Sequence, residues 1–139
     1  MPRIAIYKYK ETEFFKFLNV NPKGKAAGDC VARAISQALG KSWEDTIREM
    51  TEFGIKKGYT FNEDKTVKAY LESQGYTTYS EPRNAQNKKI SLKEFLKWFP
   101  HITAVVKVGS HHITYVKDGK CYDSWDCTKN TVHRYWRKA

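Results

Sequence analysis

Three residue types that together can perform nucleophilic chemistry lie far apart along this chain. Cys30 ends the triplet Gly28-Asp29-Cys30 at the start of a helical pattern, and His111-His112 opens a hairpin pattern that contains Asp123. The partial positive charge at a helix N-terminus favours thiolate over thiol, which makes a cysteine there a nucleophile near neutral pH. A histidine and a carboxylate on neighbouring strands can supply a base and the group that orients it. The pattern therefore predicts thiol-dependent chemistry at Cys30.

The register of the hairpin determines which histidine meets which carboxylate. Asp118-Gly119 is a strong signal for a two-residue type I′ turn. With that turn, His112 and Trp125 face each other on one side of the ribbon. Asp123 is then the diagonal neighbour of His112 on the same side, within reach of a longer side chain. This register predicts a His112–Asp123 pair with Trp125 beside it.

A second pairing lies on the opposite side of the same ribbon. There His111 faces Asp126, which makes His111 the substitute base if the hairpin presents its other face. The face that packs against the Cys30 helix decides between the two pairs, and both stay open at the level of sequence.

Periodicity and turn signals predict the elements that must position these residues. For the Cys30 helix, Asp29 is the expected N-cap, apolar residues recur at three- and four-residue spacing from Val31 to Leu39, and Gly40 is a natural C-terminal glycine. Its small side chains favour a central, buried position. Further helices are predicted from Ser42, with Asp45 as its capping partner, from Asn62 to Gly75, and from Ser91 to just before Pro100. Strands are predicted at 3–9, 76–79, 102–108, 112–117, 120–125 and 131–136. The segment 12–18 fits either a strand or a short helix.

This order of elements, a helical N-terminal part followed by an antiparallel sheet, predicts an α+β fold. The chain of 139 residues, 40% of them apolar, is long enough for one hydrophobic core and shows no internal boundary, so a single domain over 1–139 is expected. The longest apolar runs are a few residues, so no membrane insertion is expected.

The cysteines favour reduced thiols. Three of them, Cys30, Cys121 and Cys127, leave one unpaired in any disulfide scheme, and the N-terminus lacks the apolar segment of a secretory signal. A cytoplasmic location is therefore expected. The cysteines also lack the close Cys-x2-Cys spacing of zinc sites, so we predict neither a metal nor another cofactor.

The formal charge of +10 predicts attraction to an anionic partner, either nucleic acid or an acidic protein face. The tail from His133 to Lys138 interleaves basic and aromatic residues, as single-strand binders do. A non-catalytic binding or inhibitor module is therefore the alternative function. Near the N-terminus, Phe14, Phe15 and Phe17 could form an exposed patch at an interface, although the sequence does not define an oligomeric state.

One family shares this combination of residues. The segment Gly-Asp-Cys-Val-Ala-Arg-Ala, followed by the pattern His-x10-Asp-x-Trp that begins at His112, resembles papain-like cysteine peptidases over roughly residues 20–130. The closest likeness is to compact forms related to bacteriocin-processing peptidases and to small proteins of phages and mobile elements. The resemblance implies a Cys-bearing central helix packed on a C-terminal antiparallel sheet, and a host-cytoplasm location for a phage-encoded protein.

The activity that this resemblance implies is acyl transfer on a peptide or protein, acidic in character where the basic surface recruits it. Cys30 would attack a carbonyl carbon, His112 would hold and deliver the proton, and Asp123 would fix the tautomer of His112. The backbone N–H of Cys30 would be an oxyanion donor. The family's glutamine about six residues before the cysteine is replaced here by Gly24, and Asn21 is the nearest amide.

Overall fold

The computed structural model describes residues 9–25 and 28–138, which form an α+β fold of four helices around one mixed sheet. The expected fold class is confirmed. The helices are α1 (Cys30–Leu39), α2 (Trp43–Lys57), α3 (Asp64–Ser73) and α4 (Leu92–Trp98); the strands are β1 (Phe15–Phe17), β2 (Tyr76–Tyr79), β3 (Ala104–Val108), β4 (His112–Lys117), β5 (Lys120–Asp123) and β6 (Val132–Lys138).

The sheet differs from the expected C-terminal antiparallel one. Its strand order is β1-β5-β4-β3-β6-β2, and β1 pairs parallel with β5 while the other neighbours are antiparallel. Both edge strands precede the four strands of the C-terminal segment 104–138. They are three and four residues long, and their place in the sheet was not predicted because their partners, β5 and β6, are distant in sequence.

Apolar layers cover both faces of the sheet. Val105 and Val106 are both fully buried and belong to different clusters, because successive strand residues point to opposite faces. One cluster includes α4 through Phe95, and the other joins α1, α2 and α3 to the sheet through residues such as Ile35. α1 therefore lies centrally between the sheet and the neighbouring helices, with β4 directly beside it.

The helix caps agree closely with the turn signals, with two exceptions. Ser42 and Ser91 each accept the predicted N–H, and Gly40 ends α1 in the left-handed conformation. Asp29 occupies the N-cap of α1, but within the described residues its carboxylate accepts no helical N–H because it binds other partners. The expected Asn62 cap is also wrong: the N-cap of α3 is Glu63, since the Asn62 side chain accepts from Thr60 Oγ1.

The N-terminal segment forms an edge strand, and the expected exposed patch of Phe14, Phe15 and Phe17 does not form. Phe15 is fully buried and Phe14 packs against the core, whereas Phe17 stays exposed although it shares one side of the strand with Phe15. Of the two structures that the sequence allowed for 12–18, the segment forms the short strand, at Phe15–Phe17. Most of the strand expected at 3–9 lies outside the described residues, and Tyr9 is in a turn.

No helix in the described ranges is long and apolar enough to cross a membrane.

Candidate active site

The hairpin that carries the histidine and the carboxylate has the predicted register. Tyr115 pairs with Tyr122, and Lys117 with Lys120, around a two-residue turn at Asp118-Gly119. Both turn residues have positive φ, +49° and +75°, as a type I′ turn requires. β5 ends at Asp123, two residues before the expected end at Trp125, because the Asp123 carboxylate accepts the N–H of Ser124 at 2.6 Å and turns the chain.

His112 and Asp123 form the pair that this register predicts. His112 Nε2 lies 2.7 Å from Asp123 Oδ2, and the carboxylate side chain is only 4% exposed. Trp125 contacts the imidazole, with ring centroids 4.7 Å apart. The face of the hairpin that meets α1 is therefore the one with His112.

Cys30 is brought to this pair by α1. It is the first residue of the helix, is half-buried, and has its thiol close enough to the side chain of His112 for each group to shift the pKa of the other. Because Nε2 of His112 is engaged by Asp123, Nδ1 is the nitrogen left for the thiol. Cys30 Sγ also lies 3.9 Å from the carbonyl oxygen of His111. The three residues named from the sequence thus form one continuous line of contacts.

The remaining candidates lie outside this line. The His111 side chain is exposed, and only its carbonyl faces Cys30. Asp126 accepts hydrogen bonds from the backbone and hydroxyl of Thr128, which fold the loop locally, so the alternative His111–Asp126 pair does not form. Asn21 is buried and donates to Asp29 Oδ2 at 3.0 Å, so its amide serves this loop contact.

Burial and charge act in opposite directions on the three groups. Burial raises the pKa of the Cys30 thiol, but hydrogen bonds from His112 and from the backbone of Ile113, with the positive charges of His112 and Arg33, lower that pKa below its ordinary value. Burial lowers the pKa of His112, but its hydrogen bonds to Asp123 and Cys30 raise it to about 9.

Asp123 stays ionised for the same reason. Burial raises the pKa of its carboxyl, yet the hydrogen bond with His112 and the charges of His112 and Arg33 bring the pKa below its ordinary value. A protonated His112 next to an ionised Asp123 then favours the thiolate of Cys30. The arrangement can hold a thiolate–imidazolium pair near neutral pH.

The start of α1 adds a second electrostatic feature. The first N–H groups of a helix have no intrahelical acceptor, and the Asp29 side chain leaves those of α1 uncovered. Asp29 binds Arg33, Asn21 and the indole N–H of Trp43 instead. The backbone at Cys30 can therefore donate to a developing oxyanion.

Sequence reasoning missed Arg33 as a residue of this site. It lies one turn after Cys30 on α1, is 5% exposed, and places Nη2 3.3 Å from Asp123 Oδ1. The available signal was a charged residue among small and apolar ones in a helix expected to be buried. A buried arginine requires a carboxylate partner, but the sequence alone does not say which one.

Potential metal ligands coincide with the site. In the described ranges, the one group of three candidate ligands is His112, Asp123 and Cys127, whose ligand atoms all lie within 4.8 Å of one another. The 2.7 Å contact between His112 and Asp123 is a hydrogen-bond distance. Cys127 is buried, and its pKa is raised by its contact with Cys121 and by burial, so it is a thiol at neutral pH. Hydrogen bonds therefore explain why these three side chains lie so close together.

Comparison of the chain with protein-family models, with curated proteins and with solved structures found no match. The functional interpretation therefore depends on the geometry of these residues.

Proposed function

We propose that the protein is a cysteine hydrolase with a papain-like arrangement, cleaving a peptide or related amide through Cys30, His112 and Asp123. The observation that carries this proposal is the continuous line of contacts from the Cys30 thiol through His112 to Asp123. The order Cys–His–Asp along the chain, and a cysteine-bearing helix against the strand that begins at the histidine, are also what the resemblance to papain-like peptidases implies.

The proposed reaction has two acyl-transfer steps. The Cys30 thiolate adds to the carbonyl carbon of the substrate, and the resulting oxyanion is stabilised by the backbone N–H of Cys30 at the start of α1. The C–N bond then breaks, and His112 gives its proton to the departing amine. A water molecule next loses a proton to His112 and attacks the thioester, which releases the acid and returns the thiolate–imidazolium pair.

The first test is alkylation of the cysteines by iodoacetamide as a function of pH, with each adduct located by mass spectrometry. We expect Cys30 to react fastest, with a midpoint below its ordinary pKa of 9.0, because His112 stabilises the thiolate. Cys121 and Cys127 are fully buried and serve as internal controls that stay unmodified in the folded protein.

Two matched histidine variants show whether the site produces this reactivity. His112→Asn removes the imidazole that lowers the pKa of Cys30, so the midpoint should move to higher pH. His111→Asn changes an exposed side chain whose residue contacts Cys30 through its backbone, so the profile should stay in place. Equal labelling of the three wild-type cysteines, or the same shift in both variants, contradicts the proposal. A peptide-library assay, with Cys30→Ala as the inactive control, then identifies the substrate.

A second candidate function is a binding module for an anionic partner. It is favoured by the excess of 25 basic over 15 acidic residues and by the exposed Arg137 and Lys138 at the end of β6. Binding that persists in Cys30→Ala separates this function from hydrolysis, although one protein can combine both.

A further inference from the structure

Arg33 links the helix that carries the nucleophile to the hairpin that carries the base. Its Nη2 lies 3.3 Å from Asp123 Oδ1, and its Nη1 binds Asp29 Oδ1. Cys30 and Arg33 are three residues apart on α1 and so lie on neighbouring positions of one helix face. A single buried side chain therefore spans α1 and the end of β5.

Arg33 accounts for the orientation of the Asp123 carboxylate. Oδ2 of Asp123 is taken by His112, and Oδ1 accepts from Arg33 and from the backbone N–H of Ser124. With both oxygens bound, the carboxylate plane is fixed, and a guanidinium is suited to this role because its donors have rigid geometry.

The charges of the cluster also require Arg33. Asp29 and Asp123 are both buried, and the guanidinium lies between them. Without it, two buried carboxylates would remain, with one imidazolium among them. The Arg33 Nε has no hydrogen-bond partner within the described residues, so Arg33 is held here by its two carboxylate contacts.

We propose that Arg33 is a positioning residue of the hydrolase, which holds Asp123 against His112 and fixes α1, with Cys30, to the hairpin. This inference rests on the proposed function. Arg33 acts through Asp123 on the imidazole and through its charge on the sulfur. Four charged or titratable groups surround Cys30 and Arg33. His112 of β4 faces Cys30, and Asp123 of β5 faces both His112 and Arg33. Asp29 at the α1 N-cap faces Arg33, and Cys127 Sγ lies 3.8 Å from Asp123 Oδ2.

The test compares the pH profile of Cys30 alkylation in the wild type, Arg33→Met and Arg33→Lys. Methionine removes the charge and both hydrogen bonds, so we expect the alkylation midpoint to rise by about half a pH unit, which leaves about threefold less thiolate below the midpoint. Lysine restores the positive charge but cannot bind both carboxylates as the guanidinium does through Nη1 and Nη2. The alkylation midpoint of Arg33→Lys should therefore lie nearer to that of the wild type. A thermal melt of each variant reports stability separately.

A charge-balanced variant covers the case in which Arg33→Met does not fold. Asp29→Asn combined with Arg33→Met removes one negative and one positive charge and still deletes the contact with Asp123, so a smaller rise in midpoint is expected, because only the loss of that contact remains. If either folded variant has a lower melting temperature but the wild-type alkylation profile, Arg33 is structural only and this inference is wrong. If His112→Asn also leaves the profile unchanged, the proposed hydrolase itself fails.

Discussion

Proton sharing among Cys30, His112 and Asp123 sets the pH range in which the site can work. In the proposed hydrolysis, the imidazolium of His112 protonates the departing amine, and its pKa of about 9 keeps it protonated at neutral pH. Raising the pH through about 9 removes that proton, so hydrolysis should decline there even though the thiolate persists. At the acid end, hydrolysis should decline as the thiolate of Cys30 becomes protonated.

Asp123→Asn tests the source of the high pKa of His112. Asparagine retains the shape of the side chain but loses the charge, so we expect the pKa of His112 to fall from about 9 toward its ordinary value of 6.5. If the pKa falls all the way to 6.5, the imidazolium fraction at pH 8 should drop about thirtyfold. An NMR titration of the His112 ring measures this without a substrate.

Asp118→Asn is the matched control for that titration. Asp118 is an exposed aspartate of the same hairpin, and its carboxylate contacts His101. It should leave the titration of His112 unchanged. A wild-type His112 that titrates near 6.5 would contradict the proposed ion pair.

At the scale of elements, the β4–β5 turn and the start of α1 set the site geometry. Gly119 holds a φ of +75°, and a Cβ there would collide with the backbone carbonyl of Pro100. The turn therefore packs closely against the backbone at Pro100, in the segment that precedes β3. A change at Gly119 should disturb the register that brings Asp123 to His112.

Gly119→Ala and Gly58→Ala separate this collision from simple backbone strain. Gly58 has a similar φ of +80°, but a Cβ there has open space around it. We expect Gly58→Ala to lower the free energy of unfolding by about 1 kcal/mol, and Gly119→Ala by about 1–3 kcal/mol more. Urea unfolding measures both, and equal losses in the two variants would show that the turn does not pack tightly against Pro100.

At the scale of the whole molecule, the positive charge is spread over the surface, and one edge combines it with aromatic rings. Tyr79 of β2 stacks on Tyr135 of β6 at 4.9 Å, close to the exposed Arg137 and Lys138. Trp136 belongs to the core, so part of the basic aromatic tail is structural and is not available to a ligand.

Salt-dependent binding of a mixed-sequence oligonucleotide tests the second candidate function. We expect affinity to fall steeply as salt rises, because bound phosphates release counterions. Changing both Arg137 and Lys138 to glutamine should weaken binding and flatten the salt dependence. The same change at Lys56 and Lys57, an exposed pair at the end of α2, should have a smaller effect.

Cys30→Ala should bind as the wild type does, since the thiol is no part of that edge. No measurable binding at low salt, or an affinity indifferent to salt, would leave the charge without a role in recognising nucleic acid.

The sequence by itself determined the local features of this protein. Caps at Ser42 and Ser91, the glycine at Gly40 and the Asp118-Gly119 turn depend on residues a few positions apart, and the hairpin register followed from the turn alone. That register was sufficient to place Asp123 beside His112. The same local logic favoured Cys30 at a helix start.

Only the tertiary structure decided which hairpin face meets α1, and so chose His112 over His111. It also added β1 and β2 to the sheet and used Asp29 and Arg33 as buried partners. These outcomes depend on contacts between residues as far apart as Arg33 and Asp123. Burial makes a charged side chain bind whichever opposite charge the packing brings near, and no short-range pattern in a sequence records that choice.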